Sequence, residues 1–167
     1  ELYATKYDAA GYYEPTEYFR LRWDDVSYEP GELKAVAFND GKPVGEAMMR
    51  TAGKPFAIRL TPDRVKLSGA DDLSYLLVEA VDADGNVCPL AENMVQFDVD
   101  GPACIVGVGN GNPLSIEPFV ADYRKLFYGR AMLILRTDGN EGDISVKASS
   151  EGLQPATVQF KVGAAGI

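Results

Sequence analysis

Hydrophobic and polar residues alternate with a period of two along most of this sequence. Phe19, Leu21 and Trp23 alternate with arginine and aspartate. The segments Val95–Val99 and Ile144–Ala148 repeat the pattern. Because successive side chains of a strand point to opposite faces, this period predicts strands with one buried face. Further strands are predicted at Leu33–Phe38, Ala47–Thr51, Ala57–Leu60, Ser74–Val81, Met94–Val99, Ala103–Val106, Ala131–Arg136, Asp143–Ser149 and Thr157–Val162.

Asp-Gly pairs stand between several of the predicted strands. Their glycines, Gly41, Gly85 and Gly139, supply the positive φ that a tight hairpin needs. Neighbouring strands are therefore predicted to run antiparallel. Many short strands with regular turn signals are typical of sandwiches. The predicted fold class is all-β, with immunoglobulin-like antiparallel β-sandwiches.

A change of pattern divides the sequence into two parts. Small residues and a proline at Thr51–Pro55 separate two sets of strands, as expected of a domain boundary. Residues 55–167 have room for the roughly seven strands of a complete immunoglobulin-like domain, whereas residues 1–54 supply fewer. We therefore predict a partial immunoglobulin-like domain at 1–54 and a complete one at 55–167.

Ser115–Phe127 is the one segment with helical spacing. Phe119 and Tyr123 precede Phe127 at intervals of four residues, and Ser115 is a residue type that caps helices. Pro118 is tolerated in a first helical turn. The pattern leaves a short helix and a structured loop open.

Composition excludes several classes of function. The 167 residues carry a formal net charge of −9, which opposes binding to nucleic acid. Histidine is absent from the sequence, so Ser-His-Asp and Cys-His catalysis and most zinc sites are excluded. No apolar stretch is long enough for membrane insertion, and no cofactor is predicted. Cys88 and Cys104 leave a disulfide open.

A glycine-rich segment follows one of the apolar strands. It contains Gly107, Gly109, Asn110, Gly111 and Pro113. Its spacing differs from that of phosphate-binding loops, and an all-β context supplies no helix dipole of the usual kind. We predict a tight structural loop that also touches a neighbouring domain.

Aromatic residues concentrate near the N-terminus. Exposed aromatic faces stack on sugar rings, so Tyr12, Tyr13 and Trp23 are a candidate carbohydrate-binding platform. Packing in a core or against another domain is the alternative.

Clusters of charged residues have simpler interpretations than ligand binding. Asp82 and Asp138 lie in acidic clusters that suit calcium, yet both coincide with turns that use Asp and Asn for backbone reasons. No metal site is predicted there. Arg124, Lys125 and Arg130 are predicted to be solvated around three buried aromatic residues, Tyr123, Phe127 and Tyr128.

Four longer stretches carry a family resemblance. They are RLRWDDVSYEPGELKAVAFNDGK at Arg20–Lys42, AIRLTPDRVKLSGADDLSYLLVEAVDADGNVCPLAENMVQFDVDGPA at Ala57–Ala103, GVGNGNP at Gly107–Pro113, and ADYRKLFYGRAMLILR at Ala121–Arg136. In this order they resemble the C-terminal immunoglobulin-like domains of bacterial glycoside hydrolase family 2 enzymes of the β-galactosidase-like kind. The second domain also resembles immunoglobulin-like modules of adhesins.

The resemblance implies a non-catalytic accessory region of a secreted enzyme, periplasmic or extracellular, that acts on plant or host polysaccharides. Its partners would be the catalytic barrel and other domains of that enzyme, and an oligosaccharide is a further candidate. The two catalytic glutamates of the family's barrel have no counterpart here by motif, so these residues alone are not expected to form an enzyme. A stand-alone adhesin-like or carbohydrate-binding module is the alternative, and a subunit-interface element with an open sheet edge is a third hypothesis.

Overall fold

The computed structural model describes residues 26–163. The chain divides into two compact units, Glu1–Met48 and Met49–Ile167, and each is considered by itself. Strand β1 (Glu32–Asn39) and strand β2 (Lys42–Arg50) form a two-stranded sheet. Both strands were predicted, although β2 begins earlier than expected. The predicted domain limits, 1–54 and 55–167, stay a prediction.

The turn between β1 and β2 has the chemistry that its sequence predicts. Asp40 and Gly41 both have positive φ, at 49° and 75°. Positive φ at both central residues gives a tight hairpin whose twist matches that of the strands. All residues of the two strands are exposed, so in the described part of the chain the alternation in β1 does not mark a buried face.

The remaining strands form the two sheets of the second unit. They are β3 (Ala57–Pro62), β4 (Lys66–Ser68), β5 (Ala70–Val81), β6 (Met94–Asp100), β7 (Ala103–Gly109), β8 (Tyr123–Lys125), β9 (Arg130–Asp138), β10 (Gly142–Ser149) and β11 (Ala156–Gly163). One sheet has the order β3-β5-β9-β7 and the other β4-β11-β10-β6-β8. All paired strands in the two sheets are antiparallel except β4 and β11, which are parallel. This arrangement confirms the predicted all-β, immunoglobulin-like sandwich.

The core lies between the two sheets, where alternate residues of each strand point inward. The predicted inward positions of β6 and β10 are confirmed, because Val95, Phe97, Ile144, Val146 and Ala148 are all buried. The facing sheet contributes Leu76, Val78, Leu133 and Leu135, which belong to the same apolar cluster. Burial of each large aliphatic side chain stabilises the fold by roughly 1.5–3 kcal/mol.

The segment Ser115–Phe127 is a loop followed by a strand. The helical alternative is wrong: residues 110–122 run without a helix, and β8 then pairs with β6. Phe119 is 77% exposed, so the aromatic spacing does not mark a face buried against a core. The described part of the chain has no helix long and apolar enough to cross a membrane.

Two of the three predicted hairpin glycines do not join paired strands. Gly85 and Gly139 have the expected positive φ, 83° and 99°. However, the turn at Gly139 carries the chain from β9 to β10, which lie in different sheets. The turn at Gly85 is closed by only a single bridge, between Val81 and Val87. Local turn chemistry sets the direction of the chain but not the strand with which it pairs.

The two cysteines are free thiols. Cys88 is buried in the core cluster and Cys104 is exposed. Burial, together with the nearby charge of Asp82, raises the pKa of the Cys88 thiol. Cys88 is therefore held as a protonated, apolar core residue.

Candidate functional site

The glycine-rich segment forms the end of β7 and the start of the following loop. Gly107 and Gly109 belong to β7, and the loop that we name the Arg124 loop then runs over residues 110–122. Asn110 fixes its start, because its Nδ2 donates to the carbonyl oxygen of Lys125 at 2.8 Å. The Oδ1 of Asn110 also accepts the backbone N–H of Asn112 at 3.0 Å. These bonds explain a tight loop without any ligand.

Two glycines of this segment have clear intramolecular reasons. A Cβ on Gly107 would lie 3.2 Å from the Cδ1 atom of Ile134, so the side chain of Ile134 occupies that space. Gly111 has a φ of 73°, a conformation that other residues rarely adopt. Gly109 shares neither feature, and Pro113 follows in the loop.

Arg124 of β8 is buried beneath the Arg124 loop and bonds to several of its residues. Its side chain is 1% exposed, and its Nη2 donates to the carbonyl oxygens of Val108 at 2.9 Å and Pro118 at 2.5 Å. Its Nη1 lies 3.5 Å from the Oε2 atom of Glu117 and donates to the Oγ atom of Ser115 at 3.3 Å. A buried cation needs such an ion pair and such acceptors to offset its desolvation.

The prediction that Arg124 is solvated is therefore wrong. Arg124 and Leu126 stand on the inward side of the chain at β8, whereas Lys125 between them is exposed. Arg124 and Leu126 share one side of the chain, but β8 has only three residues, too few for an alternation that would predict this burial from the sequence. The prediction for the aromatic neighbours is wrong at Tyr128, which is 66% exposed.

Glu117 connects the Arg124 loop to β8 a second time. Its Oε1 accepts the backbone N–H of Lys125 at 3.1 Å, while its Oε2 accepts the hydroxyl of Ser115 at 2.9 Å. The guanidinium of Arg124 also lies 5.7 Å from the ring centre of Phe119. The loop thus has a defined conformation set by polar contacts at its base.

The outer part of this loop is apolar and uncovered. We name four residues the apolar tip: Leu114, Ile116, Phe119 and Val120, with exposed fractions of 85%, 100%, 77% and 68%. A depression of about 270 Å³ lies beside the tip, between Gly109–Pro113 and the side chains of Ser115, Phe119 and Arg124. A clustered apolar surface on a well-anchored loop suits contact with another protein surface.

The other predicted sites differ in what the structure says of them. Tyr12, Tyr13 and Trp23 lie outside the described residues. Within residues 26–163 no three His, Cys, Asp or Glu side chains gather as metal ligands would. The carboxylate of Asp138 instead accepts the backbone N–H of Asn140 at 3.0 Å, as turn aspartates do.

Asp82 ties the start of the second unit to the turn after β5. Its Oδ2 accepts the backbone N–H of Gly53 at 2.7 Å. Its Oδ1 accepts those of Asp84 at 3.0 Å and Asn86 at 2.8 Å. The bond from Gly53 is the main cause that lowers the pKa of Asp82 from 3.8 to about 2. The carboxylate of Asp82 therefore stabilises the backbone of the turn and of the segment at Gly53.

Acid is expected to weaken the second unit through Asp82. A carboxyl whose pKa is lower in the folded state stabilises the fold above a pH of about 4, and this contribution is lost as the pH falls toward about 2. Asp82→Asn should lower the free energy of unfolding near neutral pH and have little effect in strong acid. Urea unfolding over this pH range measures the difference.

Asp84→Asn is the matched control for the acid experiment. It removes the same charge from an exposed residue whose backbone N–H, not its side chain, takes part in the turn. Equal pH dependence of the Asp82→Asn and Asp84→Asn variants would contradict the assignment to Asp82.

Comparison with known proteins gives one family profile over most of the second unit. Residues 58–159 match the profile of glycoside hydrolase family 2 C-terminal domain 5. Residues 6–45 match a domain of unknown function, DUF4982. The first match covers more than half of the chain and most strands of the sandwich.

Curated relatives and solved structures agree with that match. A beta-galactosidase of Bacteroides ovatus, BoGH2A, is 46% identical over 136 residues, which are 81% of this chain and 16% of that protein. A beta-glucuronidase of Formosa agariphila is 30% identical over 88% of this chain and 15% of its own length. A crystal structure of a family 2 member from Bacteroides cellulosilyticus superposes with a TM-score of 0.77 and 42% identity, covering 83% of this chain and 18% of that one. The chain therefore spans less than a fifth of each protein.

Proposed function

Because this chain belongs to glycoside hydrolase family 2, we propose that it is a non-catalytic C-terminal accessory region of a longer β-galactosidase-like enzyme. In this proposal the apolar tip packs against another part of that enzyme and helps to hold the catalytic barrel in place. The observation that carries the proposal is the tip itself: four exposed apolar side chains on a loop anchored by the buried Arg124.

The energetics of the tip favour a permanent protein contact over solvent exposure. Large apolar side chains gain roughly 1.5–3 kcal/mol each when they are buried. The loop is already ordered by Arg124 and Glu117, so docking costs little additional conformational entropy. A relative such as BoGH2A has most of its length outside the matched region, which leaves ample protein to supply the partner surface.

The proposal extends to the parent enzyme. The names of the relatives are beta-galactosidase and beta-glucuronidase, so the proposed substrates are β-linked glycosides. Action on plant or host polysaccharides, and a periplasmic or extracellular location, belong to the same proposal and rest on the family resemblance. Contact between this region and an oligosaccharide is a separate hypothesis, which the apolar tip neither requires nor favours.

Replacement of Ile116 by lysine in the longer enzyme tests the tip contact. Ile116 is fully exposed within this chain, so Ile116→Lys should leave the stability of the 167-residue chain unchanged. In the longer enzyme the buried charge should cost about 2 kcal/mol of packing free energy. Differential scanning calorimetry would show this as a lower melting temperature of the accessory region.

Leu90→Lys is the control, because Leu90 is 90% exposed and lies outside the Arg124 loop. Identical melting of the two variants in the longer enzyme would contradict the tip contact. Turnover of an aryl β-galactoside by the 167-residue chain, abolished by one Asp or Glu substitution, would contradict the non-catalytic role.

A further inference from the structure

A second surface of the sandwich carries a shallow, open depression, which we name the groove. It lies on the outer face of the sheet β3-β5-β9-β7 and has a volume of about 340 Å³. Leu77 of β5 pairs with Met132 of β9, and Met132 pairs with Gly109 of β7, so the floor is apolar across three strands. Arg130 and the backbone of Gly109–Gly111 form its sides.

Within residues 26–163, no steric contact or backbone angle requires glycine at position 109. Its φ is not positive, and a Cβ built on it would meet no atom within 4 Å. Glycine within a strand costs roughly 0.5–1 kcal/mol relative to alanine, and it often marks a close approach by another backbone or a ligand. Gly107, two residues earlier, is explained by Ile134, so the contrast lies within one strand.

Arg130 gives the groove a positive end. Its Nε donates to the Oε1 atom of Glu79 at 3.1 Å, while Arg59 donates to the Oε2 atom of Glu79 at 2.7 Å. One carboxylate thus serves two guanidinium groups, which leaves a local charge of +1 in a chain of net charge −9. The terminal nitrogens of Arg130 have no partner among residues 26–163, and its side chain is 58% exposed.

We propose that this groove binds a segment of the same enzyme from outside this chain, which presents an apolar side chain to Leu77 and Met132 and a carboxylate to Arg130. The inference rests on the proposed function and adds a second contact to it. Guanidinium groups with free terminal nitrogens bind carboxylates in a bidentate manner, so Arg130 makes the groove selective for a segment that carries a carboxylate. The wall formed by Gly109–Gly111 also borders the depression beside the apolar tip, so one partner surface reaches both.

Methionine oxidation tests the groove on the unmodified protein. Met132 lies in the groove and Met94 lies on the other sheet, and both are 41% exposed in this chain. Dilute hydrogen peroxide should oxidise the two at similar rates in the 167-residue chain. In the longer enzyme, the rate at Met132 should fall several-fold while that at Met94 stays the same. Equal rates at the two methionines in the longer enzyme would overturn the groove contact.

Substitutions separate this inference from the tip contact. Gly109→Ala should leave the 167-residue chain as stable as the wild type or slightly more stable, because the added methyl group meets nothing. In the longer enzyme the same change should lower the melting temperature of the accessory region, and Met132→Lys should do so more strongly than Met94→Lys.

The outcomes are distinguishable from those of the tip experiment. If Ile116→Lys destabilises the longer enzyme, but Gly109→Ala leaves its melting unchanged and Met132→Lys acts as Met94→Lys does, the groove inference fails and the tip contact stands. If only the groove variants act, the tip contact fails instead. Concentration-dependent dimerisation of the 167-residue chain that Met132→Lys abolishes would identify a second copy as the occupant, and would overturn the inference.

Discussion

Gly129→Ala is expected to destabilise the second unit by about 3 kcal/mol or more, because two costs combine at this position. Gly129 has a φ of 72°, and a Cβ on it would lie 2.2 Å from the carbonyl oxygen of Cys88. The backbone cannot retreat freely, since the N–H of Gly129 donates to the carbonyl oxygen of Ala91 and its own carbonyl accepts the N–H of Ala80. Urea unfolding followed by fluorescence or circular dichroism measures the loss.

Gly85→Ala separates the steric clash from the backbone conformation. Gly85 has a similar φ of 83°, but a Cβ there would meet nothing within 4 Å. Only the conformational cost of about 1–2 kcal/mol should remain. Equal destabilisation by the two substitutions would show that Cys88 and its neighbours relax away from the added methyl group.

Arg124→Leu is expected to cost about 3 kcal/mol or more and to release the Arg124 loop. The substitution removes the donors that the carbonyl oxygens of Val108 and Pro118 use, and it leaves Glu117 without its ion pair. Unsatisfied groups at the base of the loop would then draw water in, so the loop should open. Urea unfolding measures the stability, and limited proteolysis within residues 110–122 measures the opening.

Arg136→Leu is the matched control, because it removes the same side chain from an exposed pair. Arg136 is 50% exposed and lies 3.9 Å from the carboxylate of Asp71, a contact expected to contribute about 0–1 kcal/mol. If proteolysis of the loop is unchanged in Arg124→Leu, the conformation of the loop does not depend on this buried cation.

Much of the sandwich follows from alternation alone. In β6 and β10 each inward position is apolar and most outward positions are polar, so neither strand can reverse its faces without exposing its apolar set. The strands β4 and β8 could not be predicted from alternation, because three residues are too few to show a period. Each forms by pairing with the edge of a longer strand: β4 pairs with β11, and β8 pairs with β6.

The sequence also predicts some features of the candidate site and not others. The glycines and asparagines of Gly107–Pro113 predict a tight loop, and the side chain of Asn110 bonds to the backbone of Lys125 and Asn112 at its start. Arg124 was wrongly predicted to be solvated. A cation is buried only where carbonyl oxygens and a carboxylate surround it, and these come from residues that the local pattern does not reveal. The groove combines residues from β5, β7 and β9, which no local pattern connects.

The amino-acid sequence by itself determined the all-β class, the inward faces of β6 and β10 and the positive φ of Gly41, Gly85 and Gly139, because each depends on residues near one another in the chain. Only the tertiary structure decided which strands pair, that Gly139 joins two sheets, that Arg124 is buried and that Leu77, Met132 and Arg130 share one surface. These features depend on contacts between residues far apart in sequence, whose free energy is gained only when the sheets are packed together.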